Sequence, residues 1–340
     1  MPSFEEIVHS LRHPDGESSQ PLPRVTLGAV NKDGSFYYAK AFGEESDESL
    51  ATDGVHFIAS STKFVTTVAV MQCVERGQLN LDADISDILP EWKNPQILTG
   101  FDEQDRPTFQ AATKAITLRH LLTHSSGLDW AGAMVERVTS MRLGEYMKRY
   151  IFDVVSVHDA TFHLEEREDL RERMVNQWER VGQELKIGKC PAADPVTDDL
   201  GGGGLYSTVT ELLKIYHGVL SEKFLSRETI DLMFQPHLVN IPGLQNQDDY
   251  SISYRNAIYN AIPPSTPVSF GLGGLINLSP IPNRRSENSL SWSGMSNCYW
   301  WIDSKKGIAG VYLSQLVPTG DQQAIKLLTA FEKFVYMNIL

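Results

Sequence analysis

Ser60 and Lys63 stand three residues apart at the head of the stretch "HFIASSTKFVTTVAVMQCVERGQLNLD". Within it Val65, Val68, Ala69, Gln72 and Cys73 recur at helical spacing, and Gly77 ends the run. Positions i and i+3 share one face of a helix, so the Ser60 hydroxyl and the Lys63 amine can meet. A serine hydroxyl is a poor nucleophile until a base takes its proton. Lysine acts as that base where burial disfavours its charged form. Phe57, Ile58, Phe64, Val65 and Val68 supply apolar surroundings. Ser60 would sit in the first helical turn, whose N–H groups lack intrahelical partners and can donate to an oxyanion. Spacing alone decides little, because a Ser-x-x-Lys arises roughly once by chance in a chain of this length. The competing reading makes Ser60 an N-cap and Lys63 a solvated helix residue.

Other motifs give less. Gly201 to Gly204 are followed by no Gly-Lys-Ser/Thr, so they form no Walker loop and suit a tight turn before "TVTELLKIYHGVL". "GLGGLINL" lacks the last glycine of a dinucleotide fingerprint. "LDADISD" lacks the glycine and terminal glutamate of a calcium loop and reads as a solvated turn. Cys73, Cys190 and Cys298 are far apart and odd in number, so neither a disulfide framework nor a zinc site is expected. No cofactor and no metal are called for.

The elements that must position Ser60 and Lys63 follow from patterning. The 340 residues are 41% hydrophobic and 21% charged, an ordinary globular composition. A net charge of −13 argues against nucleic acid or an anionic membrane as a partner. "MPSFEEIVHSLRHPDG" reads as a short amphipathic helix ended by a Pro14-Asp15-Gly16 turn, without a secretory leader. No apolar run reaches membrane-spanning length. A cytoplasmic protein is the expectation. "VTLGAV" and "FYYAKAFG" flank a turn containing Asp33-Gly34, a hairpin signature. "ITLRHLLTH", "AGAMVERVTSMRLGEYMKRYIF" and "REDLRERMVNQWERV" read as helices, with exposed charge on the last. Strands return after Pro267 in "VSFGLGGLINL", "SLSWSGMSNCYWWID" and "GIAGVYLSQL", before a final helix, "DQQAIKLLTAFEKFVYMNIL". The order predicts an α+β fold: residues 1–60 and 265–340 form a sheet domain from both chain ends, and 61–264 form an inserted, mainly helical domain.

The blocks "ASSTKFVTTVAVMQCVERGQLNLDADISDILPEW" and "ITLRHLLTHSSGL" resemble the serine β-lactamase-like esterases, relatives of class C β-lactamases and penicillin-binding proteins. "LTGFDEQ", "DWAGAMVERV", "LGEYMKRYIF", "DDLGGGGLYSTVTELLKI", "FGLGGLINL" and "SWSGMSNCYWWIDSKKGIAGVYLSQL" are similar to the fungal polyketide transesterases of the lovastatin acyltransferase group, in the same order over nearly the whole chain. The resemblance implies a β-lactamase/transpeptidase-like fold: an antiparallel sheet flanked by terminal helices, with an all-helical insertion. It implies acyl transfer or ester hydrolysis through an acyl-serine, with Ser60 as nucleophile and Lys63 as its partner. The N–H groups of Ser60 and Met295 would form the oxyanion hole. Trp292-Ser293-Gly294 would be the third motif, lining the substrate site. β-Lactamases begin that motif with a lysine. Trp292 offers an apolar face instead, which suits a neutral ester or thioester over a β-lactam. The implied donor is an acyl thioester, on a polyketide synthase acyl carrier protein or a small thiol. The implied acceptor is a small-molecule alcohol, a polyketide, or water.

The resemblance breaks at one place. The family's tyrosine, which helps to deprotonate serine, lies in a segment between the "THSSGL"-type block and "DWAG". Here Leu128 runs directly into Asp129, and the segment is absent. Three explanations compete: an exon lost from the gene as read, a true deletion with a substitute base, and a pseudoenzyme or binding protein that keeps the fold. His124 and Tyr206 are the candidate stand-in bases. A β-lactamase or peptidase is the weaker alternative.

Overall fold

The apolar run from Thr62 forms a helix buried on nearly all sides, and the rest of the fold is arranged around it. The structure, a computed structural model, describes residues 2–14, 20–43, 52–239, 241–245 and 250–339. Helix α1 (Phe4–Arg12) is followed by strands β1 (Val25–Asn31), β2 (Tyr37–Phe42) and β3 (His56–Phe57), then by the central helix α2 (Thr62–Glu75). Next come strands β4 (Gln96–Phe101) and β5 (Pro107–Ala111) and helices α3 (Leu118–Leu122), α4 (Ala131–Thr139) and α5 (Leu143–Met147). Strand β6 (Ala160–Thr161), helix α6 (Glu168–Arg171) and strands β7 (Trp178–Val181), β8 (Glu184–Ile187) and β9 (Tyr206–Ser207) lead to helices α7 (Val209–Leu220), α8 (Arg227–Met233), α9 (Pro242–Gln245) and α10 (Ile252–Tyr259). Strands β10 (Val268–Gly271), β11 (Gly274–Asn277), β12 (Leu290–Gly294), β13 (Cys298–Asp303), β14 (Ile308–Leu313) and β15 (Leu316–Val317) precede helix α11 (Gln322–Asn338).

One antiparallel sheet of seven strands runs in the order β10-β11-β12-β13-β14-β1-β2. β1 docks beside β14 with Gly28 opposite Val311, so the two chain ends meet in one sheet. Alternation then assigns each face. Leu27, Tyr299, Trp301 and Tyr312 face one side, where Phe4 of α1 and Leu327, Phe331 and Val335 of α11 cover them. Trp300, Ile302, Val311 and Leu313 face the other side, against Phe64, Val68, Val209 and Leu213 of α2 and α7. Both faces are thus buried. Fully burying a large apolar side chain is worth roughly 1.5–3 kcal/mol, so these two layers dominate stability.

An ion cluster also ties the sheet to α11. Glu332, fully buried, accepts from Arg284 Nε at 2.7 Å and Arg285 Nε at 3.1 Å, and each guanidinium adds a second contact. Arg284 also donates to the Ala261 carbonyl at 2.7 Å. Burial alone would raise the Glu332 carboxyl, but the two guanidinium charges outweigh it and hold the carboxyl below its usual range.

Three expectations need correction or qualification. The helix read over "REDLRERMVNQWERV" exists only as α6; from Trp178 the chain is strand β7, paired with β15 and β8. Trp178 packs on the α11 side of the core, and that burial overrides the local charge pattern. "AGAMVERVTSMRLGEYMKRYIF" breaks at Ser140, which takes a left-handed conformation between α4 and α5. Helix α1 ends at Arg12, and Asp15 and Gly16 of the expected turn lie outside the described residues. No helix among the described residues is long and apolar enough to cross a membrane.

Candidate active site

Ser60 lies in a single 3-10 turn, Ala59–Ser61, between β3 and α2. β3 pairs with β9, and Ile58 N–H continues the pairing to the Leu205 carbonyl at 3.0 Å. Thr62 Oγ1 accepts from Leu205 N–H at 3.1 Å, while Gln315 Nε2 donates to the Phe57 carbonyl at 2.8 Å. The turn is therefore clamped from two sides. Ala59 has a φ of 45°, a left-handed conformation that disfavours a side chain by about 1–2 kcal/mol. Such strain persists only where surrounding structure fixes it. The first hydrogen-bonded N–H of the turn is that of Ser61, to Ile58, so the Ser60 N–H precedes any partner within the turn.

The N-cap reading of Ser60 fails. Ser61 occupies the cap of α2, without a side-chain cap bond. Ser60 Oγ instead lies 3.2 Å from Lys63 Nζ. Both residues are partly buried. Lys63 Nζ also contacts Asp129 Oδ2 at 2.9 Å and the Gly202 carbonyl. The glycine loop is held along α2 at two successive residues, since Thr66 Oγ1 donates to the Gly201 carbonyl at 2.7 Å. A neutral amine here would donate to Asp129 and Gly202 and leave its lone pair for the Ser60 proton. An ammonium would find three acceptors. The site can thus hold either side of a proton transfer without rearranging.

Trp292 and Gly294 share one face of β12, and Ser293 takes the other. Gly294 packs so closely on the serine turn that a Cβ there would lie 2.2 Å from the Ile58 carbonyl oxygen. Gly294→Ala is therefore expected to push β12 off the turn. Acylation of Ser60 should fall roughly 10²-fold, read as the p-nitrophenol burst from a short-chain ester. Ser293 does not turn toward the serine: its hydroxyl donates to the Ala257 carbonyl of α10 at 2.6 Å. A side-chain role for it in substrate binding is not what this geometry offers. Met295 heads a three-residue hairpin between β12 and β13, in which Ser296 and Asn297 have positive φ. Asn297 Nδ2 donates to the carbonyls of Leu316 and Pro318, and its Oδ1 accepts from the N–H groups of Gly320 and Asp321. That network rigidifies the backbone beside Ser60.

The two candidate stand-in bases fare differently. His124 lies in an aromatic cluster, stacked on Phe270 at 5.3 Å and tilted against Trp292 at 4.5 Å, with Phe270 and Trp292 themselves 5.6 Å apart. Burial, and next the Lys63 charge, push its imidazole down to about 4, so it is neutral at neutral pH and a weak base. Among the described residues it has no hydrogen bond to Ser60 or Lys63. Tyr206 is buried on β9 against Phe57, in a cluster with Leu164 and Leu170. Burial raises its phenol well above the usual value, with a smaller contribution from the neighbouring Cys190. Tyr206 likewise makes no hydrogen bond to Ser60 or Lys63 among the described residues. Asp129 and Gly202 were not singled out from sequence, since each comes from a segment distant from Ser60. A cavity of about 30 Å³ lies among Lys63, Thr66, His124, Asp129 and Gly201, room for about one water.

Comparison with known proteins identifies the family and the fold. The sequence profile of the family described as Beta-lactamase matches residues 26–331. The lovastatin esterase of Penicillium rubens is 31% identical, over 85% of this chain and 88% of its own. The monacolin J acid methylbutanoyltransferase of Aspergillus terreus is 29% identical, over 94% of this chain and 92% of its own. That alignment spans 386 positions against 340 residues here, so the relative carries sequence with no counterpart in this chain. The solved structure of unliganded simvastatin synthase (LovD) from Aspergillus terreus, 28% identical, superposes with a TM-score of 0.88 over 99% of each chain. By profile, by identity and by fold, this chain belongs to the beta-lactamase family.

Proposed function

We propose that this protein is a serine acyltransferase and esterase of the polyketide transesterase type. The observation that carries the reading is the 3.2 Å contact between Ser60 Oγ and Lys63 Nζ, at a strained turn open to a rigid hairpin. Lys63 takes the Ser60 proton as Oγ attacks the donor carbonyl. The N–H groups of Ser60 and Met295 hold the oxyanion. The leaving thiol or alcohol departs with a proton from Lys63, giving the acyl-serine. An alcohol or water then attacks the acyl carbon and releases Ser60.

The substrate classes follow from relatives whose names describe methylbutanoyl transfer and lovastatin ester cleavage. The donor is an acyl thioester or ester, carried by a small thiol or by a polyketide synthase acyl carrier protein. The acceptor is a hydroxyl of a secondary metabolite. Trp292, half-buried and tilted against His124, supports a neutral acyl group over a β-lactam carboxylate. The site needs no metal or organic cofactor for these steps, and the expected setting is cytoplasmic.

The test uses the butanoyl thioester of N-acetylcysteamine, with free thiol followed in the presence and absence of an alcohol acceptor. Thiol release by the wild type, abolished in Ser60→Ala, is the expected result. No release from thioesters or p-nitrophenyl esters of several chain lengths would contradict it. That outcome would favour a pseudoenzyme that keeps the fold and binds without turnover.

A further inference from the structure

We propose that Asp129 is the positioning residue of the Ser60–Lys63 pair, fixing the Lys63 amine at the serine in the shortened site. This inference rests on the acyl-serine reading above. Asp129 Oδ2 lies 2.9 Å from Nζ, and no other carboxylate among the described residues pairs with Lys63. The carboxylate occupies space that only a glycine leaves free. A Cβ at position 202 would lie 1.4 Å from Asp129 Oδ2 and 2.1 Å from its Cγ. Any other residue at 202 would evict the carboxylate from its place against Lys63. The same glycine presents its carbonyl to Nζ, so one backbone position serves both contacts.

Asp129 is also turned away from a common alternative. It immediately precedes Trp130, the N-cap of α4, near the partial positive charge of a helix N-terminus, which favours a carboxylate. The start of α4 has no side-chain cap bond. The carboxylate points to Lys63 instead. His124, the other titratable group facing this space, makes no hydrogen bond to Nζ among the described residues. Thr66 spends its hydroxyl on the Gly201 carbonyl. Holding Nζ therefore falls to Asp129 and the Gly202 carbonyl.

Orientation outweighs charge in this role. The Asp129 side chain is 46% exposed, so solvent screens its attraction and the ion pair is worth little as electrostatics. Lysine, however, swings on a flexible four-carbon stem. Two fixed acceptors restrict the amine so that its third direction meets Ser60 Oγ. A misplacement of about 1 Å costs on the order of 10²-fold in rate.

The proton account closes without a further group. In the first half, the Ser60 proton passes to Nζ, the Oγ–carbon bond forms, and the carbonyl pair moves onto oxygen. The adduct collapses, the bond to the leaving thiolate or alkoxide breaks, and that group takes the proton from Nζ. In the second half, the attacking hydroxyl gives its proton to Nζ, the oxygen–carbon bond forms, and Ser60 Oγ departs with the proton. Asp129 exchanges no proton in either half.

The test compares the full-length wild type with Asp129→Ala and Gly202→Ala, using p-nitrophenyl butanoate. The p-nitrophenol burst gives the acylation rate, intact mass gives the adduct, and circular dichroism checks the fold. Asp129→Ala should lower the acylation rate roughly 10²-fold with KM little changed, and millimolar formate should restore much of it by filling the vacated place. Gly202→Ala keeps Asp129 in the chain but displaces its carboxylate. It should show a similar loss that formate does not restore. Equal or faster acylation by Asp129→Ala, or a loss insensitive to formate, overturns the inference while leaving the acyl-serine reading intact. A wild type that forms no adduct overturns the acyl-serine reading, and this inference with it.

Discussion

Lys63→Met is expected to lower acylation of Ser60 by about 10³-fold or more, with the fold unchanged. Methionine matches the apolar stem but has no amine to take the serine proton. Lys63→Arg separates the possible roles. A guanidinium keeps a positive charge and can still pair with Asp129, but it does not give up its proton in a protein. If Lys63 served only as a charge beside the developing oxyanion, arginine would retain much of the activity. The proton-transfer account predicts that arginine fails nearly as badly as methionine. The check is the pre-steady-state burst of p-nitrophenol, with adduct mass measured in parallel. A fully active Lys63→Arg would remove lysine from the role of base.

The second large effect lies far from the chemistry. Glu332→Leu should destabilise the protein by about 3–5 kcal/mol, because Arg284 and Arg285 would be left buried without their counter-charge. The cluster joins the segment between β11 and β12 to α11 (Gln322–Asn338), so its loss should loosen the edge of the sheet. Urea denaturation of the variant against the wild type measures the change. Acid provides a second view. A carboxyl held below its usual range in the folded state contributes stability that is present above the unfolded pKa. That contribution is lost as pH falls through the lower folded value. The wild type should therefore lose stability on acidification below about pH 4, and Glu332→Gln should show a smaller slope there. A variant as stable as the wild type at neutral pH would show that the arginines find other partners.

The parts of this structure legible in the sequence are those in which local pattern and burial agree. Alternation in "SLSWSGMSNCYWWID" and "GIAGVYLSQL" became β12–β13 and β14, where both faces meet helices. The Ser60–Lys63 contact was legible because three residues of helical spacing bring it about. The exposed ribbon β4–β5 was not, since every residue of β5 faces solvent and leaves no apolar alternation to read. β7 was read as the end of a charged helix, and β8 was not read at all. Their turn is set by Gly182, with a φ of 65°, while β7 takes its strand identity from β15, over a hundred residues away, and β8 pairs with β7. Asp129 and Gly202 were invisible for the same reason. Their meeting at Lys63 depends on how α4 and the glycine loop pack against α2, a tertiary fact that no spacing encodes. His124 and Tyr206 were plausible bases by type alone. Burial and neighbours weigh against them: one lies in an aromatic cluster with Phe270 and Trp292, the other is buried against Phe57.

The step from Leu128 to Asp129, where the resemblance breaks, gives the central claim its interest. The relatives carry sequence that this chain lacks, yet the Ser60–Lys63 pair remains in contact here, and a carboxylate from the join holds it. The central claim is that Ser60 is acylated. It is tested most directly by incubating the protein with p-nitrophenyl butanoate, quenching in acid, and mapping the digested chain by mass spectrometry. The account predicts a butanoyl mass increase on the peptide bearing Ser60, and none anywhere in Ser60→Ala. A butanoyl group found only on other residues, or ester turnover undiminished in Ser60→Ala, would contradict it.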